Sequence, residues 1–423
     1  MKNFTDASIT PWPWWRNILF RFSCLYLLLY MSPWTWLAEV PWFSILAEQY
    51  SEIERLLVTF GNDHLFHVKE VLVPANGSGD TSYSYAQLCF YTLVAVVGTL
   101  VWTLLARKKM NYVTGYYWLL VVVRYYVALT ALAYGIIKLF GLQMPFPTLS
   151  ALATPLGDLL PMRFSWHFIG YSTPYQFFSG AMEALAGSLL LARRTCLLGA
   201  LVAVGVFLNV MMMNLCYDIP VKLFSIHLFA FSVFLLLSNA ERLLNFFLLN
   251  RPVEPTVSVT LPDWRWRFAQ LTLKTIFIGL FLLLPFYQAY SSRSGAAADK
   301  LATGFFAVEQ FQAAMADSLH WKDVIFEQNN SGSILTADTL LRQRYRRAYF
   351  SYALDSTNNT IAFRRFSSDT VAIFTLNYTM PDTNHILLRG LIRQDSVAIA
   401  LTREPRHYQL AERQFHWLSE QNR

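Results

Sequence analysis

Charge is scarce in this 423-residue chain: only 14% of residues are charged, against 55% hydrophobic. Ordinary soluble domains carry about a quarter charged residues, so the balance excludes a string of such domains and points to a polytopic membrane protein. Paired cysteine is lacking too. Cys24, Cys89, Cys196 and Cys216 lie in or at the ends of apolar segments and form no CxxC or CxxxC pair. That excludes a dithiol motif or thiolate metal site and makes them small buried hydrophobes. There is no haem ligand pair and no flavin fingerprint, so no cofactor is evident in the chain and it offers nothing to move electrons by itself. Internal repeats, low-complexity tracts and the paired broken helices of secondary transporters are missing as well. The N-terminus, MKNFTDASITPWPWWRNILFRF, lacks the small-residue cleavage site of a signal peptide and leads into a full-length apolar run, so a retained first helix is expected.

What is present is a series of long apolar runs. A bilayer core about 30 Å thick needs roughly 20 apolar residues. That ruler picks out about seven spans, near 17–38, 86–106, 116–141, 175–192, 196–216, 222–239 and 268–288. The net charge of +7 sits in clusters beside these runs, which argues for membrane anchoring and against nucleic acid. Arg107, Lys108 and Lys109, then Arg193 and Arg194, then Arg242, Arg251, Arg265 and Arg267 all fall on one side of such a bundle. Lys2 and Arg16 join them, so that side is expected to be the cytoplasm, with the C-terminal region outside.

The first outer loop contains AEQYSEIERLL, a candidate amphipathic helix, followed by a turn-rich stretch in which Asn76-Gly77-Ser78 reads as a turn. The second outer loop is apolar but broken by Pro145, Pro147, Pro155, Pro161 and Pro174. It cannot span as a helix and is expected to lie on or re-enter the outer surface, with Trp166 and Tyr171 at the interface. From about residue 290 the runs WKDVIF, RRAYFSYAL, NTIAFRRF, TVAIFTLNY, ILLRGLI and SVAIAL predict a mostly antiparallel β or α+β extracytoplasmic domain, a compact sheet or small barrel. A helix near Leu301–Leu319 is expected to precede it and RQFHWLSEQNR to close it, tucking aromatics onto the sheet. The expected fold is therefore mainly α. It comprises an N-terminal two-span region 1–115, a four-helix core 116–240, a cytoplasmic loop and last span 241–289, and the soluble domain 290–423.

Polar residues inside the apolar runs are the candidate site, because an ionisable group in hydrocarbon costs several kcal/mol unless it faces protein or water. Counting along the spans puts Glu183 roughly 12 Å below the outer surface and Asn209 about 10 Å from it. Lys138, Asp218, Lys222 and His227 fall in the same outer half, with Tyr134 and Asn214 near them and Arg124 nearer the cytoplasm. One reading is structural: Lys138 pairs with Glu183, the asparagines bond across helices, and the register is fixed at about 0.6–2 kcal/mol per bond. Arg124 then pairs with a carbonyl or snorkels. The other reading is a polar pocket in which Glu183 and His227 pass protons to or from a lipid-soluble quinone. Met211-Met212-Met213 cannot form a copper site, since consecutive helical residues point three ways. Gly180-x-x-x-Ala184 and Gly199-x-x-x-Ala203 fit close helix packing. The spacing of His64, His67 and His167 supports no metal site.

Gly135-Ile-Ile-Lys138-Leu-Phe, Met182-Glu183-Ala-Leu-Ala-Gly187-Ser-Leu-Leu-Leu and Arg193-Arg194-Thr195 together resemble the four-helix DoxX family of bacterial and archaeal membrane proteins. Together with NLCYDIPVKLFSIH and the C-terminal run, the chain is similar to long DoxX-like proteins of the Bacteroidetes that add a C-terminal soluble domain. The resemblance implies a bacterial inner-membrane protein with a cytoplasmic N-terminus and a periplasmic C-terminal domain. It further implies a membrane subunit of a quinone-linked or thiol- and oxidative-stress-related redox complex, working beside a redox partner protein. The alternative is a non-enzymatic anchor that presents the C-terminal domain to envelope partners.

Overall fold

Prolines mark where helices begin and apolar runs carry them on, as expected where a fixed φ and a missing N–H suit the first turn. The computed structural model describes residues 12–36, 38, 41–75, 79–106, 111–253, 264–283, 286, 287, 290, 291, 301–413 and 416–418. Lys2, the Arg107–Lys109 cluster, the Asn76–Ser78 turn, Gln414 and Phe415 lie outside the described residues, as does the side chain of Arg267. By contacts the chain divides into two compact units, Met1–Gln143 with Pro174–Ser291, and Met144–Thr173 with Ser292–Arg423.

The first unit is helical. Its elements are α1 Trp14–Met31, α2 Pro41–Gly61, α3 Ser82–Leu105 and α4 Val113–Leu139. After residues 144–173 come α7 Thr173–Leu191, α8 Cys196–Cys216, α9 Lys222–Leu237, α10 Ala240–Leu243 and α11 Trp264–Ile278. The core is shared by Phe20 and Leu27 of α1, Val123, Val127 and Ala131 of α4, Ala186 and Leu190 of α7, Phe207 of α8 and Phe231 of α9. Much of the apolar surface faces outward. Only 17% of the apolar window of α3 is buried, and Leu100, Leu104 and Leu105 lie open. A helix apolar on its outer face as well as its inner one needs an apolar surround.

Among the described residues four helices are long and apolar enough to cross a membrane, or five if Lys222–Leu237 and Ala240–Leu248, bent by 72°, form one span. These are fewer than the expected spans. α7 carries Gln176, Glu183 and small residues, and α11 carries Arg265 and Lys274, which lowers the hydropathy of both. α2 is longer than its sequence signal. It packs Ala47 and Val58 inward and leaves Trp42, Leu46, Ile53 and Leu56 exposed.

The second unit is a closed antiparallel barrel of eight strands in sequence order: β1 Gly304–Ala313, β2 Asp323–Phe326, β3 Ser331–Leu335, β4 Arg347–Asp355, β5 Thr360–Arg364, β6 Phe374–Thr379, β7 His385–Ile392 and β8 Asp395–Arg403. Alternate residues fill the interior, among them Phe306, Phe326, Phe350, Phe363, Leu376, Leu388 and Ile399. The helix expected near Leu301–Leu319 is a strand instead. β1 mixes helix-favouring Ala, Glu and Gln with strand-favouring Phe and Val, and its pairing with both β2 and β8 decides for strand and closes the barrel. Ladder pairing on two sides outweighs local propensity.

The proline-broken loop 144–173 belongs to this unit. It forms α5 Leu149–Leu152 and α6 Pro161–Tyr171, and it covers the outside of the barrel, which is why every residue of β2 is buried. Gly170 approaches so closely that a Cβ there would lie 2.5 Å from the Pro145 carbonyl oxygen.

Candidate functional site

Small residues bring α4 and α7 together. A Cβ on Gly135 would meet the Ala184 backbone nitrogen at 2.6 Å, and one on Gly180 the Gly135 oxygen at 2.7 Å. A Cβ on Gly187 would meet the Ala128 oxygen at 2.7 Å. Such contact is available only to residues without side chains. At this crossing the Lys138 ammonium donates to Glu183 Oε1. Lys138 is 7% and Glu183 1% exposed, so the pair is dry. Glu183 Oε2 has no hydrogen-bond partner among the described residues. Tyr134 stands one turn before Lys138 and packs against Phe224 of α9.

His227 occupies a different place. Its ring stacks on Tyr30 of α1 with centroids 3.8 Å apart. Nδ1 lies 2.6 Å from the Leu223 carbonyl oxygen and Nε2 lies 2.7 Å from the Tyr26 hydroxyl. A carbonyl only accepts, so Nδ1 carries a proton; in a neutral ring Nε2 then accepts from Tyr26.

Asp218 and Lys222 form a third group, with Nζ donating to Asp218 Oδ1 at 2.7 Å on an exposed turn. Sequence reasoning missed the group's centre, Asp80. Its buried carboxylate accepts from the backbone N–H groups of Lys222 at 2.7 Å and Leu223 at 3.1 Å, capping α9 from a distant part of the chain. Asn214 is buried in the preceding turn, where its amide donates to the Val221 carbonyl at 3.4 Å. Asn209 is exposed on the outer face of α8 and joins none of these groups. The polar residues assigned to one cluster are therefore distributed over three groups, with Asn209 outside all of them. A partly buried carboxylate outside that set, Glu54 of α2, accepts from the Tyr91 hydroxyl and from Gln87 Nε2 of α3. Its only trace in the sequence is a Glu on the helix face that also carries Ala47 and Val58.

No family model matches the chain. No solved structure matches it either. Over 83 residues it is 36% identical to an uncharacterized protein, YwoB, of Bacillus subtilis (strain 168), a match that takes in 20% of this chain. The chain spans about half the length of that relative, 54%.

Within the second unit a buried polar chain runs from the barrel wall to the loop. Arg347 donates to Asp323 and, at 2.7 Å, to the Ser333 hydroxyl. Ser333 bonds Ser150 at 2.7 Å, and Glu327 accepts from the Ser150 N–H and hydroxyl, each at 2.8 Å. Arg346 and Asp158 form an ion pair at 3.2 Å. A cavity of about 210 Å³ lies at one mouth of the barrel, lined by Ile334, Leu341, Phe350, Phe363 and Phe374 with Arg365 and Gln343.

Proposed function

We propose that the protein is an integral membrane anchor of DoxX-like type that holds a barrel domain at the outer face of a bacterial cytoplasmic membrane for envelope partners. The observation that carries this reading is the polar chain from Arg347 through Ser333 to Ser150 and Glu327, which fastens the α4–α7 loop to the barrel. The barrel is thereby tied to two separate points of the helical chain, as a presented domain requires.

The same contact constrains the topology. A bilayer cannot pass between residues that pack together, so the chain from Thr173 to Ser291 crosses an even number of times. With α8 and α9 both crossing, α7 and α11 cross together or not at all. Crossings by α1, α3 and α4 then put the N-terminus on the side opposite the barrel, in keeping with cytoplasmic basic clusters. The DoxX resemblance draws support from the meeting of Gly135, Lys138, Glu183 and Gly187, the residues that carry it. A dry, paired Lys138–Glu183 contact supports register fixing ahead of proton transfer.

The Oε2 of Glu183, without a hydrogen-bond partner among the described residues, favours a second reading, a quinone-facing redox subunit. Extraction of quinone from the purified full chain separates the two. The anchor reading expects no stoichiometric quinone and no change in quinone-linked activity of membranes carrying Glu183→Gln. Bound quinone that Glu183→Gln releases would replace it with the redox reading.

A further inference from the structure

At the other end of the helical unit, Arg124 of α4 is a buried cation with no carboxylate partner among the described residues. It is 9% exposed and its Nε has no hydrogen-bond partner there. Its guanidinium lies 5.1 Å from the centroid of the Tyr125 ring and beside the thiol of Cys196, the first residue of α8. Lys274 of α11 lies close enough for the two charges to repel, and its ammonium donates to the Leu191 carbonyl at 2.6 Å, at the last residue of α7. The ion pairs among the described residues of this unit, Arg55–Glu52, Lys138–Glu183, Lys222–Asp80 and Lys222–Asp218, include neither cation.

Both cations thus meet at the turn Ala192–Thr195, which also carries Arg193 and Arg194. Thr195 is already occupied, its hydroxyl donating to the Leu189 carbonyl at 2.7 Å. A guanidinium and an ammonium near enough to repel are stabilised by an anion placed between them, and the Arg124 Nε, without a hydrogen-bond partner among the described residues, has a donor to offer it. Because both reach the ends of α7 and α8, their depth is that of the helix termini, where lipid phosphates run. Basic pockets between helices on the cytoplasmic side suit anionic headgroups.

We propose that Arg124 and Lys274 form a phosphate-binding site at the α7–α8 turn, with Arg194 at its rim, filled by the headgroup phosphate of an anionic phospholipid. The phospholipid source rests on the membrane reading above, whereas the phosphate chemistry does not, so the test separates them. Thermal unfolding of the full chain in nonionic detergent is followed on titration with phosphatidylglycerol, phosphatidylcholine or inorganic phosphate. Phosphatidylglycerol is expected to raise the midpoint where phosphatidylcholine does not. Lys274 is partly exposed, which makes it the safer of the two cations to substitute without loss of folding. Removing its charge, as in Lys274→Gln, is expected to weaken the apparent affinity for phosphatidylglycerol about fivefold. Arg124→Lys keeps the charge and is expected to retain most of the shift. Inorganic phosphate matching phosphatidylglycerol, with both responses weakened by Lys274→Gln, supports the site with a soluble anion as its ligand. Equal shifts from the two lipids, or an undiminished phosphatidylglycerol response in Lys274→Gln, would overturn it.

Discussion

Gly135 and Gly180 set the distance at which the Lys138 side chain reaches Glu183. Adding one carbon at Gly135 drives it into backbone that cannot yield, so Gly135→Ala should separate α4 from α7 and lower the unfolding midpoint in detergent. The ion pair itself behaves differently when one or both partners change. Lys138→Met leaves the Glu183 carboxylate buried and unpaired and should cost about 3–5 kcal/mol. Lys138→Met combined with Glu183→Leu removes both charges and should recover most of that loss, which a double-mutant cycle of denaturation midpoints measures. A double mutant no more stable than the single would mean that the pair does more than satisfy its own desolvation.

At the level of elements, the loop 144–173 behaves as part of the barrel wall. Glu327→Ala and Ser150→Ala each leave buried donors or acceptors without partners, so each should cost about 1–3 kcal/mol and expose the loop to protease before the strands. Loop cleavage no faster than in the unaltered protein would contradict that role. The same loop sets a pH response. Burial, with Arg163 second, pushes the His167 imidazole below its usual 6.5. The unfolded chain therefore binds a proton before the folded one does as pH falls. The barrel unit should lose stability as pH drops below about 6.5, levelling off under the lowered folded value. His167→Gln should flatten that slope in a series of melts. In the same direction but at lower pH, the His385 imidazole beside Asp382 and the nearby N–H groups hold that carboxyl below its ordinary range, a contribution present near neutrality and lost in acid.

For the whole molecule, the anchor reading makes the fastening of loop to barrel a constraint on sidedness. With Cys24, Cys89, Cys196 and Cys216 replaced by serine, single cysteines at exposed Leu156 and exposed Thr383 should react with a membrane-impermeant maleimide from the same side of sealed vesicles. Labelling from opposite sides would break the even-crossing rule and the anchor reading with it. The helices also leave large apolar surfaces open, at Leu46, Ile53 and Leu56 of α2 and at Leu100 and Leu104 of α3. Surfaces of that kind mark contact with lipid or another chain.

Much of this was legible from residues alone, and the limits are physical. Apolar runs, their prolines and their basic flanks determine where helices form, because length and composition act locally. The same holds for most of the strands, whose alternation is local, and for the small-residue spacing that lets α4 and α7 meet. Tertiary structure decided what sequence distance conceals. Asp80 caps α9, Glu54 meets Tyr91, and Ser150 joins Ser333, each across a separation that no local pattern spans. β1 is a strand because barrel closure supplies it with two partners, which decides a segment of mixed propensity. Depth counted along a helix placed Asn209 beside Glu183, but depth leaves azimuth undetermined. Side-chain direction around α8 turns Asn209 outward, and only packing decides that.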